Sequence, residues 1–104
     1  MNNIRRKQIK YLIKALERLN NDYSKEELDE CKDTLEDIKN EEEEAFDNMP
    51  EGLQYSQRGM DSEAAIDSMY DAIGYLEDAY ESEDTEDREV SVDMAIECLM
   101  DASL

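Results

Sequence analysis

The side chains of this chain best able to do chemistry are carboxylates, and their spacing is regular. Glu26, Glu30, Asp33, Asp37, Glu41 and Glu44 follow one another at steps of 4, 3, 4, 4 and 3. Glu63, Asp67, Asp71, Asp78 and Glu81 repeat the pattern further on, with Gly74 at the one missing rung. On a helix such steps stack side chains in a single column, with Cβ atoms about 5–6 Å apart. Phosphates along one DNA strand repeat about every 3.4 Å of axis, and their path along the backbone is longer, so a helical column approximates the charge rhythm of a strand. The chemistry implied is recognition of a basic surface.

Other chemistries lack their parts. The chain has no His, which excludes Ser-His and Cys-His dyads, His-ligated zinc and HExxH sites. Gly-rich phosphate loops, GxSxG and a Walker lysine are absent. Carboxylate pairs suited to acid–base work occur everywhere and therefore single out no catalytic pair. The segment Asp84-Thr85-Glu86-Asp87-Arg88-Glu89 imitates the start of a calcium loop, but Arg88 occupies the fifth position and no Gly stands at the sixth. Cys31 and Cys98 are isolated, each where a small apolar residue suits a buried helix face. They read as two reduced thiols in a cytoplasmic protein, the alternative being a disulfide between the first acidic helix and the last one. The expectation is a non-enzyme with no cofactor and no metal.

The elements that position the acids follow from periodicity. The chain has 104 residues, 39% hydrophobic and 7% aromatic, enough for one domain over 1–104 with a thin helical core. Three Gly and one Pro are too few for a many-stranded β fold, and no apolar run is long enough to span a membrane. Charge divides the domain in two: a basic amphipathic helix over 1–21 and an acidic helical body over 22–104. Residues 1–20 carry six basic groups against Glu17, a balance of +5, and the other 84 carry five against 29, a balance of −24. In the head, Ile9, Leu12, Ile13, Leu16 and Leu19 mark one helical face, stopped by Asn20-Asn21-Asp22. Ser24 to Glu27 forms a capping box for a second helix reaching about residue 47, with a stripe of Leu28, Cys31, Leu35 and Ile38, then Ala45 and Phe46. That stripe breaks at Glu42, expected at a water-exposed end.

Residues 47–61 read as a connection, because Pro50 cannot sit inside a helix and Gly52 and Gly59 offer positive φ. A third helix over about 62–81, capped by Asp61 or Ser62, buries Ala65, Met69, Ala72, Ile73, Leu76 and Ala79 or Tyr80. After a polar link over 82–89, a fourth over about 88–102 buries Val92, Ala95, Ile96, Leu99 and Ala102. The fold class is all-α, a small helical bundle or helical hairpin of about four helices. The basic head is expected to pack on the acidic body, and a homodimer can form by exchanging these oppositely charged columns.

The segment Glu41–Ala65, EEEEAFDNMPEGLQYSQRGMDSEAA, resembles a group of small acidic helical proteins encoded by phages and prophages of Gram-positive bacteria. Its members share a basic start like Asn3-Ile4-Arg5-Arg6-Lys7, an acidic helix ending in an E-AFDN-PE-LQ phrase, and a second acidic helix. The resemblance covers residues 36–80 well and the N-terminus loosely. The chain departs in its longer 20–30 region and in the segment after residue 82. What the resemblance implies is phage origin, and small acidic DNA mimics are a recurring phage answer to host enzymes that grip DNA in basic channels, CRISPR effectors and restriction enzymes among them.

Energetics give the columns weight. Each like-charge pair at i, i+4 costs a helix about 0.2–0.5 kcal/mol, in a domain with about 5–15 kcal/mol of stability. Solubility is served by a net charge of about 2–8, and this chain carries −19. A surface so acidic repels nucleic acid and anionic lipid, so the expected partner is a basic nucleic-acid-binding host protein. The candidate binding residues are Glu30, Asp33, Asp37, Glu41, Glu44, Asp67, Asp71 and Asp78, with Tyr55 and Tyr70 as aromatic anchors. Under the competing reading the protein is structural, an assembly part or an adaptor, and its acidic faces are only solvated surface.

Overall fold

The computed structural model describes all 104 residues and is helical throughout: α1 (Asn3–Leu19), α2 (Lys25–Asp47), the single turn α3 (Glu51–Gln54), α4 (Gln57–Glu81) and α5 (Thr85–Ala102). The long helices form a ring, α1 beside α2, α2 beside α4, α4 beside α5, and α5 back against α1. Contacts between opposite ends make the neighbours antiparallel. Arg5 near the start of α1 meets Glu42 near the end of α2, Lys25 at the start of α2 lies over Tyr80 at the end of α4, and Arg6 donates to the Leu104 carbonyl just past α5. The result is an up-down-up-down bundle measuring 47 × 20 × 19 Å.

One core of twenty buried apolar residues fills the ring, and each of the four long helices supplies the stripe its periodicity demands, while the single turn α3 buries none. All five head positions from Ile9 to Leu19 are buried, as are Leu28, Cys31, Leu35 and Ile38 of α2. On α4 and α5 the stripe is rich in alanine at seven-residue steps: Ala65, Ala72 and Ala79 on one, Ala95 and Ala102 on the other. Small side chains let two helix axes approach closely, and α4 and α5 pack together more extensively than any other pair. The head packs on the body through this apolar face, while its basic side chains mostly point to solvent.

Side-chain caps start the helices. Asn2 Oδ1 accepts from the Arg5 amide at 2.8 Å, Ser24 Oγ from Glu27 at 3.3 Å, and Asp84 Oδ1 from Glu86 at 2.8 Å. Only the Ser24 half of the expected capping box is made.

The connection after α2 differs from the sequence expectation. Pro50 stands at the N-cap of α3 instead of in an irregular loop: this position needs no N–H, and the Pro50 carbonyl accepts from the Leu53 and Gln54 amides. α4 then begins at Gln57, capped by Ser56, so it is five residues longer than expected and neither Asp61 nor Ser62 is its cap. No glycine has positive φ. Gly59 is needed for closeness: a Cβ there would lie 2.2 Å from the Gln54 carbonyl oxygen, whereas Gly52 and Gly74 face open space. The second link is also shorter, because α5 starts at Thr85.

Glu42 overturns an expectation outright. It is 1% exposed, inside the end of the bundle rather than at a wet terminus. Arg5 Nε donates to its Oε1 at 2.8 Å, the Met1 amino group lies 3.6 Å from Oε2, and the Ser62 hydroxyl, itself fully buried, donates to Oε2. Three elements thus converge on one carboxylate, and no buried polar side-chain atom is left without a partner.

Candidate anionic interface

All eight carboxylates singled out from the sequence are exposed: Glu30, Asp33, Asp37, Glu41 and Glu44 on α2, and Asp67, Asp71 and Asp78 on α4. At 100° per residue, the α2 column centres roughly 140° around the helix from its buried stripe, and the α4 column roughly 160°. Both face outward because the apolar stripe of the same helix faces in. α2 is about 34 Å long and α4 about 37 Å.

Internal pairing barely touches these charges. The ion pairs are Met1 and Arg5 with Glu42, Lys32 with Asp29 at 4.0 Å, and Lys39 with Glu43 at 2.9 Å. None of the eight candidates takes part. The rows are regular, solvent-facing and uncompensated.

The two columns do not merge into one acidic sheet. Lys25, Lys32 and Lys39, seven residues apart, run along the flank of α2 that meets α4. Lys25 Nζ sits 4.4 Å from the Tyr80 ring centre and Lys39 Nζ 5.8 Å from that of Tyr70. A seam of lysine and tyrosine therefore separates two anionic edges. Tyr70, 69% exposed, belongs to this seam and carries a cation near its ring, while Tyr55, 78% exposed, projects from the end of α3. The two proposed anchors are not adjacent on one helix face.

Sequence reasoning missed a third column. On α5, Glu89, Asp93, Glu97 and Asp101 recur at steps of four, with Asp93, Glu97 and Asp101 exposed and Glu89 half-buried. The signal was the same i, i+4 spacing that marked α2 and α4. Asn20 Nδ2 donates to Asp93 at 2.9 Å, and Arg88 stacks 3.6 Å over the Tyr23 ring beside it. α1 shows the opposite sign. Lys7, Lys10, Lys14 and Arg18 are exposed in a column of their own, and none is in an ion pair. The bundle thus carries three acidic faces and one basic face.

Both cysteines are free, Cys31 buried and Cys98 half-buried. Burial, reinforced by Glu27 and Glu30, pushes the Cys31 thiol up, and burial with Asp71, Asp101 and Glu97 does the same to Cys98. No group of three or more Cys, Asp or Glu is placed to hold a metal ion, and no helix is long and apolar enough to cross a membrane. No protein-family model, curated protein or solved structure matches the chain.

Proposed function

We propose that the protein is a phage-encoded, non-enzymatic inhibitor that occupies the basic DNA- or RNA-binding channel of a host defence protein such as a CRISPR effector or restriction enzyme. Its carboxylates stand in for phosphates. One observation carries this reading: the outward acids of α2 and α4 form ordered rows with no internal basic partner, so their charge is available to an external cation array. A rod about 20 Å across matches a nucleic-acid duplex in girth. The resemblance of Glu41–Ala65 to phage proteins supplies the biological setting, a cytoplasm in which basic nucleases must be neutralised. Channels that grip a nucleic-acid backbone do so with positive charge and are open to an anionic rod.

Affinity capture from a host lysate at low salt is expected to recover a nuclease or another DNA-binding protein. Excess duplex DNA should displace it, and binding should fall steeply as NaCl rises from 0.05 to 0.5 M. Recovery of phage structural proteins alone, insensitive to DNA, would instead establish the assembly reading. That second reading has one observation in its favour, the uncompensated basic face of α1.

A further inference from the structure

Along the outside of α1 and α2, two opposite columns stand level with each other and do not meet. The Arg5–Glu42 pair sets the register of this antiparallel hairpin, so each step forward along α1 is a step back along α2. To within one residue, Lys7 is level with Glu41, Lys10 with Asp37, Lys14 with Asp33 and Arg18 with Glu30. All eight side chains are exposed, and none is in an ion pair. What separates the columns is a groove of about 700 Å³ floored by Leu12, Ala15 and Cys31, with Tyr11 at its lip, 70% exposed. The hairpin thus carries two matched halves of an electrostatic interface that it does not satisfy itself.

We propose that the α1–α2 face binds a second copy of this chain, in a two-fold dimer whose axis runs along the groove. Rotation about that axis places α1 of each copy over α2 of the other, antiparallel as in the hairpin. Every basic rung then lies opposite an acidic rung at the same height, and the match occurs twice, as an isologous contact requires. Tyr11 of each copy enters the combined groove and supplies the aromatic anchor that a charged interface needs at its centre. The face is about 20 Å wide and about 25 Å along α1, a footprint near 500 Å² per copy. Doubled, that sits at the roughly 1,000 Å² threshold of a specific interface, so the dimer is modest in strength. Each copy carries −19, but at 0.15 M salt the Debye length of about 8 Å screens this overall repulsion more than it screens rungs in contact. Pairing covers the basic face and leaves α4 and α5 of both copies as the outer surface, acidic but for Arg58 and Arg88. Dimerisation does not depend on the inhibitory role, but it engages Glu30, Asp33, Asp37 and Glu41 of α2, so in the dimer the α4 and α5 columns are the ones left open to a cationic channel.

Sedimentation equilibrium of the full chain in 0.1 M NaCl, across low to high micromolar concentration, is expected to show a monomer–dimer equilibrium that shifts to monomer as NaCl approaches 1 M. Two double variants, Lys10→Glu with Lys14→Glu and Asp33→Lys with Asp37→Lys, should each associate at least tenfold more weakly while keeping native circular dichroism. Mixing the two should restore a dimer, because the acidic α1 of one then meets the basic α2 of the other. A monomeric wild type, a mixture that stays monomeric, or growth past dimer into open stacks through α4 would each overturn the assignment. If either variant fails to fold, Lys14→Glu paired with Asp33→Lys in the same mixing experiment decides the matter.

Discussion

Glu42 occupies a place where the stripe of α2 calls for an apolar residue, and its burial is tolerable only because three donors surround it. Removing one partner of a buried ionic group strands the others, a change costing about 3 kcal/mol or more. Glu42→Ala is therefore expected to lower unfolding stability by about 3 kcal/mol in urea titrations. Burial acts to raise this carboxyl, but bonds from Ser62 and Arg5, with the charges of the Met1 amino group and Arg5, outweigh it and hold it below the ordinary glutamate value. A carboxylate held low in the folded chain stabilises it above the unfolded value of about 4.3, and that contribution is lost as pH falls through the folded one. The stability gap between wild type and Glu42→Gln should thus be full near neutral pH and close below about pH 4. Both thiols, raised by burial and by nearby carboxylates, should react with a neutral-pH thiol reagent far more slowly in the folded chain than in urea. Gly59 and Gly74 make a controlled pair. Gly59→Ala meets the Gln54 backbone and should cost about 1–3 kcal/mol, whereas Gly74→Ala, exposed and unobstructed, should add about 0.5–1 kcal/mol.

Among the elements, α1 and α2 are each charged against their own dipoles. α1 opens with Arg5, Arg6 and Lys7 at its positive end, and α2 closes with Glu41 to Glu44 and Asp47 at its negative end. Antiparallel packing sets these two unfavourable ends side by side, where the Arg5–Glu42 pair offsets both. α4 has no such relief: Asp67 and Asp71 repel at i, i+4, and Asp78 and Glu81 at i, i+3. Asp71→Lys and Asp78→Lys each turn a repulsion into an attraction and should raise stability by about 0.4–1 kcal/mol. The same pair of changes is expected to abolish capture of the basic host target. Opposite signs for stability and binding are the mark of charge held for a partner. Equal capture by the reversed protein would reduce the α4 column to solvated surface.

At the scale of the whole molecule, the distribution of sign matters more than its sum. Three outward faces are acidic and one is basic, and the basic face adjoins the acidic column that matches it in register. Under the proposed role, such a rod would offer anionic edges to a cationic channel and one face to another copy. The lysines between α2 and α4 limit the contact to edges, so a bound target is expected to protect α4 and α5 from hydrogen–deuterium exchange at their outer sides more than the α2–α4 seam.

The hydrophobic stripes of the four long helices were fixed by residue order alone, because a period of three and four decides which face a helix buries wherever it packs. The outward acids followed for the same reason, since the face opposite a stripe has nowhere to point but solvent; the α5 column obeys the rule and was legible at the same spacing. Tertiary packing decided the rest. Glu42 became a core residue only when α1, α2 and α4 brought Arg5, the Met1 amino group and Ser62 to one point from far along the chain. Gly59 acquired its role from the approach of α4 to the backbone of α3, a contact no local pattern encodes. The lysine seam depends on which neighbour α2 receives on each flank, and so does the level match of α1 with α2. Periodicity sets what a helix turns inward; the choice and register of its neighbours set what its charges meet.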